Sequence, residues 1–216
     1  MNFEFSADQM QLKDIARKFL EKEDAVKRAR NVLEGEESFD ENLWQQIIEM
    51  GFTATAIPEE YGGLGLGYLE LCVIAEELGR SLAPTPFSSS VYLATEAILN
   101  SEDDSLKQNY LPSLANGEKI GSFAHSESNT SPTESNIQCN VSGNALSGKK
   151  IAVVDGDISN FFVVSAKNGS NVGLYLVDAS SDGVGIERQP TLDPSRSHAS
   201  VIFENAACHE LQSEWS

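Results

Sequence analysis

Apolar residues in the first half of the chain recur every three or four positions, which is the spacing of one helix face. Leu12, Ile15 and Phe19 follow a start signal in which Ser6 and Gln9 stand three residues apart and cap the first turn. The same spacing predicts four more helices. These run through Leu43 to Ile48, Tyr68 to Leu78, Val91 to Leu99 and Glu102 to Leu111, with a short polar helix or a loop over 25–37 and Pro112 expected to end the last helix.

The pattern changes after Asn116 and Gly117, where apolar and polar residues begin to alternate and turn residues separate short runs. These runs lie too close together for crossover helices, so neighbouring strands should pair mainly antiparallel. The predicted fold is α+β: an all-α helical domain over residues 1–117, then an antiparallel β-barrel or sandwich domain over residues 118–216. Seven strands are expected, at Ile120–His125, Ile137–Val141, Lys149–Val154, Phe161–Ala166, Gly173–Val177, Val184–Gln189 and Ala199–Phe203, with Asn144 and Gly148 flanking one turn.

The net charge of the chain disfavours some classes of binding partner. With 33 acidic and 15 basic side chains the net charge is −18, which disfavours nucleic acid and anionic membrane surfaces. A local positive patch would still be enough to bind an anionic small molecule. No apolar run approaches the ~20 residues of a membrane-spanning helix, and the opening residues lack the basic and apolar segments of a secretion signal.

Three cysteines, Cys72, Cys139 and Cys208, stand far apart in the sequence. Their number is odd and none forms a C-x-x-C pair, so neither a disulfide framework nor a zinc site is expected. Together with the missing leader, they indicate a reducing compartment. We therefore expect a cytoplasmic protein without a metal centre.

A glycine-rich loop over residues 58–67 stands out between two predicted helices. Gly62, Gly63, Gly65 and Gly67 fall within six residues and permit positive φ and close backbone approach. The loop lacks the Gly-Lys-Ser/Thr ending of a phosphate-binding loop and the G-x-G-x-x-G spacing of a dinucleotide site. Taken alone, it predicts a tight connection between two helices.

This loop belongs to an ordered series of short segments that extends over nearly the whole chain. The segments are Phe5-Ser6-Ala7-Asp8-Gln9, Gly51-Phe52, residues 57–65, Glu76-Glu77-Leu78-Gly79-Arg80, residues 111–118, Gly148-Lys149-Lys150, Val153-Val154-Asp155-Gly156, Asp193-Pro194-Ser195-Arg196 and Val201-Ile202-Phe203-Glu204. In this order and spacing, the series resembles the helical and β domains of the acyl-CoA dehydrogenase family.

The resemblance implies a subunit of three domains, helical, β and helical, with FAD held between the β domain and the second helical domain. In that family an acyl-CoA thioester stacks against the flavin, a glutamate of the last domain removes the α-proton, and the β-hydride passes to flavin N5. The matched segments correspond to the first two domains, so we expect the C-terminal helical domain to be absent. No catalytic residue is therefore assigned, and the chain alone is expected to be inactive.

The same resemblance implies which residues face the flavin. The family's T-E-P-x-x-G-S-D loop reads Ser-Glu-Ser-Asn-Thr-Ser-Pro-Thr over residues 126–133, and its W-I-T segment reads Ala-Val-Val over residues 152–154. A hydroxyl for the ring edge is kept at Ser126, whereas the Gly-Ser pair, the aromatic side chain and the second hydroxyl are missing. His125 is interpreted equally well as a flavin contact or as a strand histidine. The predicted cofactor-binding residues are Phe123, His125, Ser126, Ala152 and Val154.

The leading hypothesis is an FAD-dependent oxidoreductase that acts on the CH–CH bond of an acyl-CoA in fatty acid metabolism. The chain would be a fragment of this enzyme or a part that requires a partner, within a homo-oligomer or a heteromeric enzyme. Residues 79–86 resemble a divergent branch of the family in which some members work as unequal subunit pairs. The altered flavin segments favour two alternatives: a non-catalytic subunit that binds flavin or acyl-CoA and stabilises an active partner, or a cofactor-free interaction protein.

Overall fold

The computed structural model describes residues 5–130 and 133–211, with helices in the first half and strands in the second. The first helix begins at the predicted signal, because the Ser6 hydroxyl accepts from Gln9 N and the Gln9 side chain accepts from Ser6 N. The charged stretch 25–37 contains a helix, and the glycine-rich loop contains a 3₁₀ turn at Glu59–Tyr61. The helices are α1 Ala7–Lys22, α2 Ala25–Glu34, α3 Glu41–Glu49, α4 Tyr68–Arg80, a π-helical segment Ser88–Ala94, α5 Thr95–Leu99 and α6 Asp104–Ala115.

The core of the helical part lies between α1, α3 and α4, where Leu20, Ile47 and Ile74 are fully buried. Glu77 of α4 is also fully buried, and its carboxylate receives hydrogen bonds from Arg17 of α1 and from Arg80. Two guanidinium groups therefore pair with one buried carboxylate and tie α1 to α4. This gives a structural role to an acidic residue that the sequence identified only as part of a motif.

Among the described residues, eight strands form one mixed sheet in the order β6-β7-β3-β2-β4-β5-β8, with β1 paired to β4. Antiparallel pairs predominate, as predicted, but β1 and β2 each run parallel to β4. Because β2 and β3 lie between β1 and β4 in the sequence, the parallel β1–β4 pair is not a hairpin. The short last strand was not predicted. The strands are β1 Gly121–Ala124, β2 Asn140–Ser142, β3 Ala145–Val154, β4 Phe161–Asn168, β5 Asn171–Asp178, β6 Val184–Gln189, β7 His198–Ala207 and β8 His209–Leu211.

Two local predictions were wrong. Pro112 does not end α6 but lies inside it, in the last turn, where a missing N–H removes a single helical hydrogen bond. The turn predicted between Asn144 and Gly148 comes earlier, at residues 143–144, and Gly148 lies within β3. Gly148 has a φ of 141°, and a Cβ at this position would stand 2.4 Å from Cys139 Sγ. This glycine therefore marks a close approach of two strands.

The helical and β parts meet where the π-helical segment packs on β1. A Cβ at Gly121, the first residue of β1, would stand only 2.5 Å from Ala94 Cβ, so the two elements are in close contact. Asp155 directly follows β3 and is buried, and its Oδ2 accepts from Ser89 Oγ and from Arg196, each at 2.5 Å. These contacts fix the helices against the strands whose ends form the site described next.

Candidate functional site

The end of β1 and the end of β3 lie side by side. Ser126 O accepts a hydrogen bond from Ile151 N at 2.8 Å, and Ser122 Oγ donates to Val154 O at 2.5 Å. The two segments predicted to face a flavin, residues 123–126 and 152–154, are thus brought together although about 25 residues separate them in the sequence. Their juxtaposition is a finding of the structure, and the role of each residue stays a prediction.

A bulge in β3 shapes this surface. The pairing of β3 with β7 shifts register between Lys150 and Val153, which leaves one extra residue on β3. Within the bulge Ile151 N bonds the Ser126 carbonyl, and Ala152 adopts a left-handed conformation with φ 51°. Ala152 is exposed as a result, at the position where the family carries an aromatic side chain.

The remaining predicted residues are half-buried around this bulge. The Phe123 and His125 rings are in contact, with their centroids 5.9 Å apart. The Ser126 hydroxyl has no hydrogen-bond partner within residues 5–130 and 133–211, so it remains available to a bound molecule. Phe123 also packs against the buried cluster that contains Phe161 and Val163.

Sequence reasoning missed Lys150, which is fully buried beneath this surface. Its Nζ donates to His125 O at 3.0 Å, to Glu127 Oε1 at 2.7 Å and to Ser165 Oγ at 3.1 Å. The sequence feature that could have identified Lys150 is the Gly-Lys-Lys segment, which resembles the family's G-x-K strand. A strand lysine is ordinarily expected on the solvent face, so the motif alone did not reveal a buried charge.

Glu127 neutralises the charge of Lys150 and also binds two backbone N–H groups. Its carboxylate accepts from Gln138 N at 2.6 Å and from Cys139 N at 3.0 Å. Burial alone would raise the pKa of Glu127, but the hydrogen bonds from Lys150 and from the two backbone N–H groups hold the pKa below its ordinary value. Glu127 is therefore ionised and fully engaged, which makes it a poor candidate for a general base.

A groove lies between the C-terminal end of α4 and the chain that enters the π-helical segment. This groove has a volume of about 270 Å³ and a mainly apolar lining that includes Leu78, Phe87 and Tyr92. Arg196 lines it as well and contacts Asp155, the residue that follows Val154. The groove is therefore connected to the end of β3 through the Arg196–Asp155 ion pair.

Within the part of the chain that the structure describes, no group of three or more histidine, cysteine or acidic side chains is placed to hold a metal ion. The same residues include no helix that is long and apolar enough to cross a membrane. Cys72, Cys139 and Cys208 are free thiols, and burial raises the pKa of Cys139 to about 12.

Comparison with known proteins identifies the family. Residues 6–118 match the family model described as acyl-CoA dehydrogenase, N-terminal domain, and the chain belongs to the acyl-CoA dehydrogenase family. It is 32% identical over 183 residues to the mitochondrial isovaleryl-CoA dehydrogenase of Arabidopsis thaliana, a match that covers 81% of this chain and 44% of that enzyme. The chain thus spans less than half the length of this relative.

Solved structures show the same fold over almost the whole chain. The ChsE4-ChsE5 complex from Mycobacterium tuberculosis matches with a TM-score of 0.86 at 25% identity, covering 99% of this chain and 59% of that one. An acyl-CoA dehydrogenase complexed with FAD from Bacillus anthracis matches with a TM-score of 0.84 at 23% identity, covering 97% and 39%. The predicted order of a helical part followed by a sheet is confirmed.

Proposed function

We propose that this chain provides the helical and flavin-facing β parts of an FAD-dependent acyl-CoA dehydrogenase. The observation that supports the proposal is the pairing of the β1 and β3 ends, through Ile151 N with Ser126 O and Ser122 Oγ with Val154 O. In this proposal Phe123, His125, Ser126, Ala152 and Val154 face the flavin. Apolar side chains at positions 123, 152 and 154 would suit the face of a flat ring, and the Ser126 hydroxyl, which has no hydrogen-bond partner among the described residues, would suit its polar edge. When bound, FAD would supply the acceptor for the hydride removed from an acyl-CoA.

The groove at the C-terminal end of α4 is the proposed position of the acyl group. Its lining by Leu78, Phe87 and Tyr92 suits a hydrocarbon chain. Arg196, which also lines the groove, is paired with Asp155 directly after Val154, and this pair connects the groove to the end of β3. The substrate class of the proposal, an acyl-CoA, is supported by this geometry and by the family.

We further propose that the general base comes from outside the described residues. Glu127 is the carboxylate that follows Ser126 directly, and its charge is already neutralised by Lys150. A base must be within hydrogen-bond reach of the proton it removes and must not be paired so strongly. The missing carboxylate would belong to a further domain, as in the three-domain subunits of the family, or to a partner subunit.

The proposed assembly is a homo-oligomer or a heteromeric acyl-CoA dehydrogenase. A heteromeric assembly is supported by the likeness to the ChsE4-ChsE5 complex, whose name describes two different chains. We propose a domain division at residues 117–118, which lies between the end of α6 and the start of β1. Three free cysteines support a cytoplasmic location.

One observation favours a second candidate function. Ala152 stands at the position where the family has an aromatic side chain, and its exposed methyl group offers little surface to a flavin. A non-catalytic subunit that binds flavin or acyl-CoA weakly, and stabilises an active partner, would tolerate this change. A cofactor-free interaction protein would tolerate it too.

The visible absorption spectrum of the purified chain, titrated with FAD, tests these functions. The proposal expects a saturable change in the flavin bands, and it expects acyl-CoA to reduce an artificial dye only when a further domain or a partner subunit supplies the base. Dye reduction by the chain alone would show that the base lies within it. Absence of any flavin binding, by the chain alone and with a partner, would favour the cofactor-free interaction protein.

A further inference from the structure

The groove at the C-terminal end of α4 is mainly apolar, but three residues of its lining carry hydroxyl groups that bind nothing in the protein. These residues are Thr85, Ser88 and Tyr92. Within residues 5–130 and 133–211, none of their side-chain oxygens has a hydrogen-bond partner. Thr85 is buried and so is its Oγ1. A buried hydroxyl without a partner is costly, so each such group calls for a bound molecule that completes it.

Ser88 is the first of three consecutive serines, and the other two do have partners. Ser89 Oγ donates to Asp155 Oδ2 at 2.5 Å, and Ser90 Oγ accepts from Gly121 N at 3.4 Å. Both of these serines are buried, and both bind residues of the β part. Ser88 is half-buried and lines the groove instead. The serine without a partner is therefore the one that lies on the groove side.

Tyr92 lies four residues after Ser88, which is about one turn of the π-helical segment, so the two residues lie on one side of it. The Tyr92 ring packs edge-on against Phe87, with the ring centroids 5.2 Å apart, and Phe87 packs edge-on against Trp44. These contacts hold the Tyr92 ring at the groove. Burial, the main cause, raises the pKa of Tyr92 well above its ordinary value, so the phenol is neutral and can donate a hydrogen bond.

We propose that the groove takes an acyl group that carries an oxygen function, a hydroxyl or a carbonyl, and that Tyr92 and Ser88 determine this specificity by hydrogen bonding to the oxygen. The inference rests on the proposed position of the acyl group and goes beyond it by naming the chemical class. Leu78 and Phe87 would contact the methylene groups of the chain. A plain hydrocarbon chain would displace water from the hydroxyls and leave them unpaired, so the groove would discriminate against it.

Calorimetric titration of the chain with hexanoyl-CoA and with its 4-, 5- and 6-hydroxy derivatives tests the inference, because each pair of ligands differs by one oxygen. The wild type should bind at least one hydroxy derivative about fivefold more tightly than hexanoyl-CoA, the size of one neutral hydrogen bond. Tyr92→Phe keeps the ring that packs on Phe87, and Ser88→Ala keeps the backbone. Each should lower this affinity ratio, and the double variant should bring it close to one without weakening the binding of hexanoyl-CoA.

The matched control is Tyr110→Phe, because Tyr110 is also half-buried and packs edge-on against a phenylalanine, Phe161, but does not line the groove. Its affinity ratio should equal that of the wild type. A loss of folded protein would weaken all four ligands alike and leave the ratio unchanged, so the ratio reports on recognition alone. Hydroxy derivatives that bind the wild type no more tightly than hexanoyl-CoA, or a ratio that survives in the double variant, would overturn the inference while the proposed function stands. A wild type that binds none of the four ligands would overturn the proposed position of the acyl group, and the inference with it.

Discussion

Arg17 Nη2 lies 2.7 Å from Glu77 Oε1, so a partly exposed guanidinium on α1 neutralises a fully buried carboxylate on α4. The second oxygen of Glu77 accepts from Arg17 Nε at 3.0 Å and from Arg80 Nε at 2.9 Å. Hydrogen bonding to Arg17, which outweighs the effect of burial, and the further bond from Arg80 lower the pKa of Glu77 to about 2. One carboxylate thereby joins two helices that are about 60 residues apart in sequence.

This arrangement predicts a specific dependence of stability on pH. Because the folded pKa of Glu77 lies below its ordinary value of 4.5, its contribution is present above about pH 4.5 and is lost as the pH falls toward 2. Glu77→Gln should reduce the free energy of unfolding at neutral pH by roughly 2 to 3 kcal/mol, and this deficit should shrink in acid. Urea unfolding at several pH values measures the difference. The exposed Glu34→Gln on α2 is the control, and an equal loss there would contradict the assignment.

A second prediction concerns the contact between the helical and β parts. Asp155→Asn keeps the shape of the side chain but removes the charge that faces Arg196 and Ser89. Loss of a partner in a buried pair costs up to about 3–5 kcal/mol, but Arg196 is 30% exposed, so roughly 2 kcal/mol is expected. Thermal unfolding should show a lower midpoint, whereas the exposed Asp182→Asn should behave as the wild type. A stability equal to the wild type would show that Asp155 does not hold the two parts together.

Alanine substitutions at Gly121 and at Gly79 should change the free energy of unfolding in opposite directions. A Cβ at Gly121 would stand 2.5 Å from Ala94 Cβ and 2.4 Å from the Phe161 ring, so Gly121→Ala should destabilise by about 1–3 kcal/mol. At Gly79, within α4, a Cβ would meet nothing within 4 Å, so Gly79→Ala should stabilise by about 0.5–1 kcal/mol. Denaturant midpoints of the two variants test both signs. A tolerated alanine at Gly121 would mean that β1 and the π-helical segment are less tightly packed.

The last prediction addresses the flavin directly. Ser126→Ala removes the unpartnered hydroxyl at the proposed site, and it should weaken FAD binding by roughly 1 kcal/mol, about fivefold. Because this hydroxyl makes no hydrogen bond to the described protein, the free energy of unfolding should stay unchanged. Ser142→Ala, at an exposed position on β2, is the control for FAD titrations followed by absorbance. An equal FAD affinity of wild type and Ser126→Ala would remove Ser126 from the site.

The periodicity of the sequence predicted the helices and most of the strands because each depends on local spacing. The failures have physical causes that spacing does not contain. Pro112 was expected to end a helix, but a proline in a last turn removes one hydrogen bond and the helix continues. The last strand, with three residues, is too short for a period-two pattern and exists because it pairs with β5.

The candidate site was predictable in part. Motif resemblance selected residues 123–126 and 152–154, and the structure brings these segments together. Lys150 was not predicted as part of the site, because its partners come from positions 125, 127 and 165 and no local pattern links a strand lysine to them. Sequence spacing reveals which faces are apolar, whereas a buried polar network depends on contacts between distant residues.

The π-helical segment determines how many residues the chain must have between Ser88 and Ala94. Its wider turn, in which Thr95 N bonds Ser90 O five residues back, contains one residue more than an α-helical turn of the same rise would. Deleting a single residue between Ser88 and Ala94 would allow an ordinary α-helix, but every later side chain of that helix would rotate by about 100°. Ile98, now fully buried, would leave the core. Each residue inserted or deleted in this segment should therefore lower stability, because it rotates the buried side chains that follow out of the core. A homologue with a regular α-helix here would need a different number of residues to reach the same packing.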